Sequence, residues 1–264
     1  MPQELASRVR TLSWYHVLEL GPGLTTDGWF DLRPYVRHYG LPARMEGMRA
    51  LDVGTWDGFW AFEMERRGAE VVAIDVDDER ELDYPPRRRP QRYPDRPRGE
   101  GFRLAHQVLG SSVERVDLSV YDATRERIGT FDLILCGSVL IHLRDQLLAL
   151  ERIAELCRGT FIAAEEYDRA SGLVPYPVAR YLADRERDVV FWRPSRRAWR
   201  RMIRSAGFDE VTERARFSMR SSTGFSVRHV VFHALRPPEG AEVRTGRRWR
   251  RGRPSQTFTP MRPV

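Results

Sequence analysis

The stretch Leu51-Asp52-Val53-Gly54-Thr55-Trp56-Asp57-Gly58-Phe59 carries the pattern of a strand, a glycine turn and a helix. Its first residues close a short apolar run, residues 48–53, that reads as a buried strand. Gly54 breaks the run, and the spacing of Phe59, Phe62 and Met64 then predicts a helix over residues 57–69. A glycine turn at this place lets backbone approach a ligand without a Cβ between them, and the helix beyond it presents free N–H groups. Residues 71–75 read as the next strand, and Asp75 ends it 21 residues after Gly54. A carboxylate so placed can accept both hydroxyls of a ribose.

The alternation continues beyond this stretch. Helices are predicted over residues 101–110, 144–157 and 195–206, and strands over 116–120, 131–136, 160–164, 210–217 and 227–235. Residues 77–99 are rich in Pro and Arg and read as an insertion outside the core. The order predicts a doubly wound, Rossmann-like α/β domain with a seven-stranded sheet over residues 48–235. Residues 1–47 do not follow the alternation. They predict a cap of two helices, near residues 4–15 and 31–38, separated by the loop GPGLTTDG.

A chain of 264 residues with 41% hydrophobic and 31% charged residues suits a globular domain. No apolar run is long enough to span a bilayer, and MPQELASRVR has no apolar signal core, so a cytoplasmic protein with no membrane partner is expected. Cys136 and Cys157 are too few for a disulfide scaffold, and no metal site is expected. All 44 basic residues are Arg, with neither Lys nor Asn anywhere, as a GC-rich source would give. Residues 236–264 carry a net charge of +6, and the rest of the chain only +1. A nucleic-acid groove on the body is therefore not indicated, and the basic Pro/Gly-rich tail is expected to be disordered.

The cofactor candidates read from the residues are Asp52, Gly54, Thr55, Trp56 and Gly58 in the glycine loop, Asp75 and Val76 at the ribose position, and Tyr121 and Asp122 flanking an adenine past the third strand. A dinucleotide dehydrogenase would use similar parts, but it expects G-x-G-x-x-G where this loop reads G-T-W-D-G.

With those residues in place, residues 14–235 resemble the family of class I S-adenosylmethionine (SAM)-dependent methyltransferases that contains the carboxy-SAM-dependent tRNA wobble-uridine carboxymethyltransferase. The resemblance rests on LDVGTWDGF, on FDLILCGSVLIHLRD, and on VPYPVARY with FWRPSRRAWRRMIRSAGF. It implies that Gly54 contacts the cofactor, that Asp75 holds its ribose, and that Gly137, Ser138 and Val139 lie beside its methionine part. Members using the carboxylated cofactor hold the extra carboxylate with lysines, a tryptophan, a tyrosine and an arginine. This chain has no lysine, has Ile141 at the tyrosine position, and keeps only Arg228. Ordinary SAM is the expected cofactor.

Methyl transfer from a sulfonium is an in-line displacement, so the protein chiefly positions the reactants and sometimes supplies a base. His142, His16 and Glu165 are the candidates to line the acceptor mouth, although lone histidines are more often structural and Glu165 can equally anchor a loop. Tyr15, Trp29, Arg180, Tyr181 and Arg228 are substrate candidates, the arginines for an anionic acceptor. Three readings follow. They are a small-molecule methyltransferase of secondary metabolism, a tRNA-modifying enzyme favoured by the family resemblance and the basic tail, and a SAM-binding module without catalysis.

Overall fold

In a computed structural model describing residues 2–93, 98–183 and 189–236, the apolar runs assemble into one seven-stranded sheet. Its strands are β1 (Arg49–Val53), β2 (Glu70–Asp75), β3 (Glu114–Asp117), β4 (Phe131–Gly137), β5 (Cys157–Glu166), β6 (Glu210–Arg220) and β7 (Ser226–Leu235). The spatial order is β3-β2-β1-β4-β5-β7-β6. All pairs are parallel except those of β7, which runs antiparallel to both β5 and β6. Strand order reverses between β1 and β4, which lie side by side with Val53 opposite Cys136.

The helices are α1 (Pro2–Thr11), α2 (Phe59–Arg66), α3 (Glu100–Leu109), α4 (Gln146–Leu156) and α5 (Arg196–Ser205). Central parallel strands are buried on both faces, which is why they read as near-continuous apolar runs. Leu51, Ile134, Phe161 and Phe232 point to one face, where Leu150 and Ile153 of α4 and Trp199 and Ile203 of α5 cover them. Ala50, Leu133, Ile162 and Val231 point to the other, against α2, α3 and the N-terminal segment. Asp145 caps α4 by accepting the Leu148 N–H (3.0 Å), and Ser195 caps α5 by accepting that of Ala198 (3.2 Å).

The N-terminal segment differs from the two-helix expectation. Helix α1 stops at Thr11. Trp14–His16 then pairs in parallel with Gly28–Phe30, and Glu19–Gly21 pairs with Leu24–Thr25. The second expected helix shrinks to a 3-10 turn, Arg33–Tyr35, and one α turn, Val36–Tyr39, ended by Gly40 in the left-handed region. The reason is tertiary: the N–H groups of Tyr15 and His16 are taken by the Asp57 carboxylate rather than by a helix.

Strand β3 starts two residues and ends three residues earlier than expected. The Leu118 N–H bonds to the Asp75 carbonyl, and Ser119 accepts the Tyr121 N–H, starting a turn. A short antiparallel pair, Ala179–Tyr181 with Trp192–Pro194, was not signalled by the sequence pattern. Residues 77–93 carry two 3-10 turns, Glu79–Glu81 and Pro86–Arg88. The expectation for the tail falls on residues 237–264, outside the described residues. No helix among the described residues is long and apolar enough to cross a membrane.

Candidate active site

Ligands of open α/β sheets bind outside the carboxyl ends of the strands, where the strand order reverses. Here that point is the gap between the loops leaving β1 and β4. Gly54 has φ +72°, and its N–H and that of Thr55 both donate to the Ile74 carbonyl (2.9 and 3.1 Å). A Cβ on Gly54 would stand 2.4 Å from a methyl of Val139, so glycine lets the two loops meet. Trp56 is held at φ +49°, where few side chains sit, by its N–H donating to Asp75 Oδ2 (2.8 Å). Gly58, at φ +91°, opens α2, where a Cβ would collide with Phe62. Beneath the loop, buried Asp52 accepts the Ala61 N–H of α2 (3.1 Å), and burial pushes its carboxyl up to about 7.

The Asp75 carboxylate closes this loop. Oδ2 holds the Trp56 N–H, while Oδ1 accepts the Val76 N–H (2.8 Å) and the Arg98 guanidinium (2.9 Å). That guanidinium also lies 4.5 Å over the Trp56 ring. Arg98, from the end of the insertion, was not foreseen, because one more Arg in an Arg-rich segment gives no signal.

Past β3, the Tyr121 hydroxyl donates to Asp83 (2.5 Å) and accepts the Asp145 N–H (3.0 Å), tying the insertion to the start of α4. Asp122 beside it is exposed. On the β4 side, Gly137 faces Trp60 and Tyr39, with a Cβ position 3.6 Å from Trp60 Nε1. Ser138 sits at φ +58°, with its Oγ 2.7 Å from Nε2 of buried His229.

Glu165 lies under this loop. It is 1% exposed, and its Oε1 accepts the N–H groups of Val139 (3.1 Å) and Leu140 (3.0 Å). Burial pushes its carboxyl up to about 8. This places Glu165 as an anchor of the β4 loop rather than a group in the mouth.

The N-terminal segment forms the opposite wall. Asp57 Oδ2 accepts the N–H groups of Tyr15 (2.6 Å) and His16 (2.9 Å), an attachment that the D of GTWDG did not advertise. The Tyr15 ring packs against Trp56 (5.1 Å), Phe30 (5.2 Å), His16 (4.8 Å) and, more loosely, exposed Trp29 (6.3 Å). Burial, then the carboxylates of Glu166, Glu165 and Asp57, raise its hydroxyl above the usual range. Burial lowers the His16 imidazole to about 3, so it is neutral, and its Nδ1 has no hydrogen-bond partner among the described residues.

Other candidates stand further out. His142 is half-buried, with Nδ1 3.0 Å from the Val189 carbonyl, and burial lowers its pKa. Arg180 pairs with Asp168 (3.6 Å) and Tyr181 packs on Trp192 (4.8 Å), both on the small strand pair. Arg228 is exposed on β7, opposite Ser218.

The donor set fits a nucleoside cofactor. A carboxylate ends β2, an exposed indole stands beside it, and buried His16 Nδ1 lacks a hydrogen-bond partner among the described residues at this edge. No group of three His, Cys, Asp or Glu residues suited to a metal ion occurs among the described residues.

This sheet order and this glycine loop define the class I methyltransferase fold. The methyltransferase domain family matches residues 31–213, and the chain belongs to that family. SAM is the cofactor of this class. No curated protein sequence matches the chain. Among solved structures, the N-terminal domain of EvdMO1 with S-adenosylhomocysteine (SAH) bound aligns at 18% identity and a TM-score of 0.64, over 90% of this chain and 98% of that one. The YcgJ protein of Bacillus subtilis aligns at 14% identity and a TM-score of 0.55, over 78% and 98%. A Burkholderia thailandensis 1,6-didemethyltoxoflavin-N1-methyltransferase, solved with its substrate and SAH, aligns at 18% identity and 0.50, over 78% and 77%.

Proposed function

We propose that this protein transfers the methyl group of SAM to a small-molecule acceptor bound between the aromatic N-terminal wall and the ends of β4 and β5. The observation that carries the reading is the Gly54 loop closed on Asp75 at the reversal of strand order. Asp75 holds the ribose hydroxyls. Asp52, Gly54, Thr55, Trp56, Gly58 and Val76 shape that side of the pocket, Tyr121 and Asp122 border the adenine, and Gly137, Ser138 and Val139 border the methionine part.

SAM supplies an electrophilic methyl group when bound. Tyr15 and Trp29 wall off water and orient the acceptor opposite the sulfonium, the arrangement an in-line displacement needs. Neutral His16, whose Nδ1 lies 3.9 Å from Asp57 Oδ2 and has no hydrogen-bond partner among the described residues, is the group we assign to accept a hydrogen bond from an acceptor hydroxyl or amine. His142 is the second candidate at the mouth, and Arg180, Tyr181 and Arg228 would touch only an acceptor that reaches outward. Small molecules are also the substrates of neighbours such as the toxoflavin methyltransferase, which supports this class of acceptor.

Plain SAM is favoured over its carboxylated form, because Ile141 is buried and apolar and the chain contains no lysine. Calorimetry with both cofactors tests this, and a clear preference for the carboxylated form would reject it. The resemblance to the wobble-uridine enzymes and the +6 charge of residues 236–264 favour tRNA as a second acceptor reading. Salt-dependent methylation of tRNA would put that reading first.

A further inference from the structure

At the end of β5 the chain leaves the sheet through Tyr167 and Asp168 and bounds a cavity of about 250 Å3. Its wall holds Asp168, Arg169, Ser195, Arg196, Arg197 and Arg216, drawn from the loop after β5, the start of α5, and β6. The charges around it do not balance. Glu213 is shared by Arg196 (2.8 Å), Arg216 (3.0 Å) and Arg200 (3.9 Å). Asp168 is already engaged by the Ser171 hydroxyl and by Arg180 (3.6 Å). Arg169 and Arg197 have no carboxylate partner among the described residues. Arg197 spends one N–H on the Val174 carbonyl (2.6 Å).

Four guanidinium groups and one carboxylate therefore line the cavity, and Glu213 beside it is shared among three arginines. An anion joining them would offset this excess of positive charge, and the α5 N-terminus adds the positive end of its dipole to the same space. A guanidinium fork matches phosphate or carboxylate oxygens in a bidentate manner. The cavity opens at the carboxyl end of β5, the sheet edge at which the acceptor is proposed to bind. It begins one residue after Glu166, which ends β5 and pairs with Arg193 (3.0 Å).

We infer that this cavity is an oxyanion site for a phosphate or carboxylate group carried by the methyl acceptor. The inference rests on the methyltransferase reading for its acceptor but not for its anion. The acceptor is then an anionic small molecule whose charged end lies among Arg169, Arg196 and Arg197 while its nucleophile faces the methyl group.

The test is titration calorimetry on the full chain saturated with SAH, using inorganic phosphate and then phenyl phosphate. The heat of SAH binding, measured first, checks the methyltransferase reading separately. Phosphate should bind saturably at one site, and the double variant Arg169→Gln/Arg197→Gln should weaken it at least tenfold with unchanged SAH binding. Arg201→Gln/Arg204→Gln, on exposed arginines further along α5, should leave it unchanged. Tighter binding of phenyl phosphate than of phosphate supports an acceptor-borne anion, and equal affinity overturns that part in favour of a free anion. Non-saturable binding, or equal weakening by both double variants, overturns the site.

Discussion

Arg98 donates to Asp75 Oδ1 at 2.9 Å, so the carboxylate proposed to bind ribose is already partnered by a cation. The pair is largely buried, with both side chains close to 10% exposed. Ribose hydroxyls reaching Oδ1 must take the place of this guanidinium.

Arg98→Ala is therefore expected to tighten SAH binding about three- to tenfold, equivalent to roughly 1 kcal/mol. Arg98→Lys should change it less. Calorimetry at fixed ionic strength measures both, and a loss of affinity in Arg98→Ala would show that Arg98 helps to hold the cofactor.

Asp57 joins the glycine loop to the N-terminal wall through two backbone N–H groups. Asp57→Ala leaves both donors without an acceptor, for a loss of about 2–3 kcal/mol and a fall in Tm on the order of 5–10 °C. Asp57→Asn, which retains an acceptor oxygen, should recover most of it. Thermal melts of the three proteins decide, and an unchanged Tm in Asp57→Ala would mean that the wall is held by its aromatic packing alone.

The chain's pH response has a defined sign. The buried Glu165 carboxyl is raised to about 8, so between its unfolded value and pH 8 the folded state holds a proton that the unfolded state lacks. Its contribution is complete in acid and is lost as pH rises through the folded value. Asp52 and Asp57, both raised to about 7 mainly by burial, act in the same sense. Buried His16 and His229, lowered to about 3 and about 4, act oppositely, but their effect is spent once pH passes 6.5. Tm should therefore fall from pH 6.5 to 8.5, and Glu165→Gln, which keeps an oxygen for the Val139 and Leu140 N–H groups, should flatten part of the fall. A Glu165→Gln profile parallel to the parent would remove Glu165 from the cause.

The strand-turn-helix at Leu51 to Phe59 was legible because a strand buried on both faces has to be written as an apolar run. Asp75 was legible because a fixed spacing carries it to the same edge. The N-terminal wall was not. Its shape is set by Asp57, 41 residues from His16, and no local pattern reports so distant an acceptor. Arg98 was hidden by composition, since in a chain with 44 arginines no single one stands out. The sequence left Glu165 open between a group in the mouth and a loop anchor, because its partners, the Val139 and Leu140 N–H groups, lie 25 or more residues away in the β4 loop.

Asp75 and the Gly54 loop are proposed to bind the nucleoside of SAM, and titrating SAH into the parent and into Asp75→Ala measures that contact. Hydrogen bonds to a charged acceptor contribute about 1.5–3 kcal/mol. The parent should bind SAH at one site, and Asp75→Ala should bind it at least tenfold more weakly, a difference of about 1.4 kcal/mol or more. Equal affinity in the two proteins, with both folded by thermal melt, would contradict the assignment.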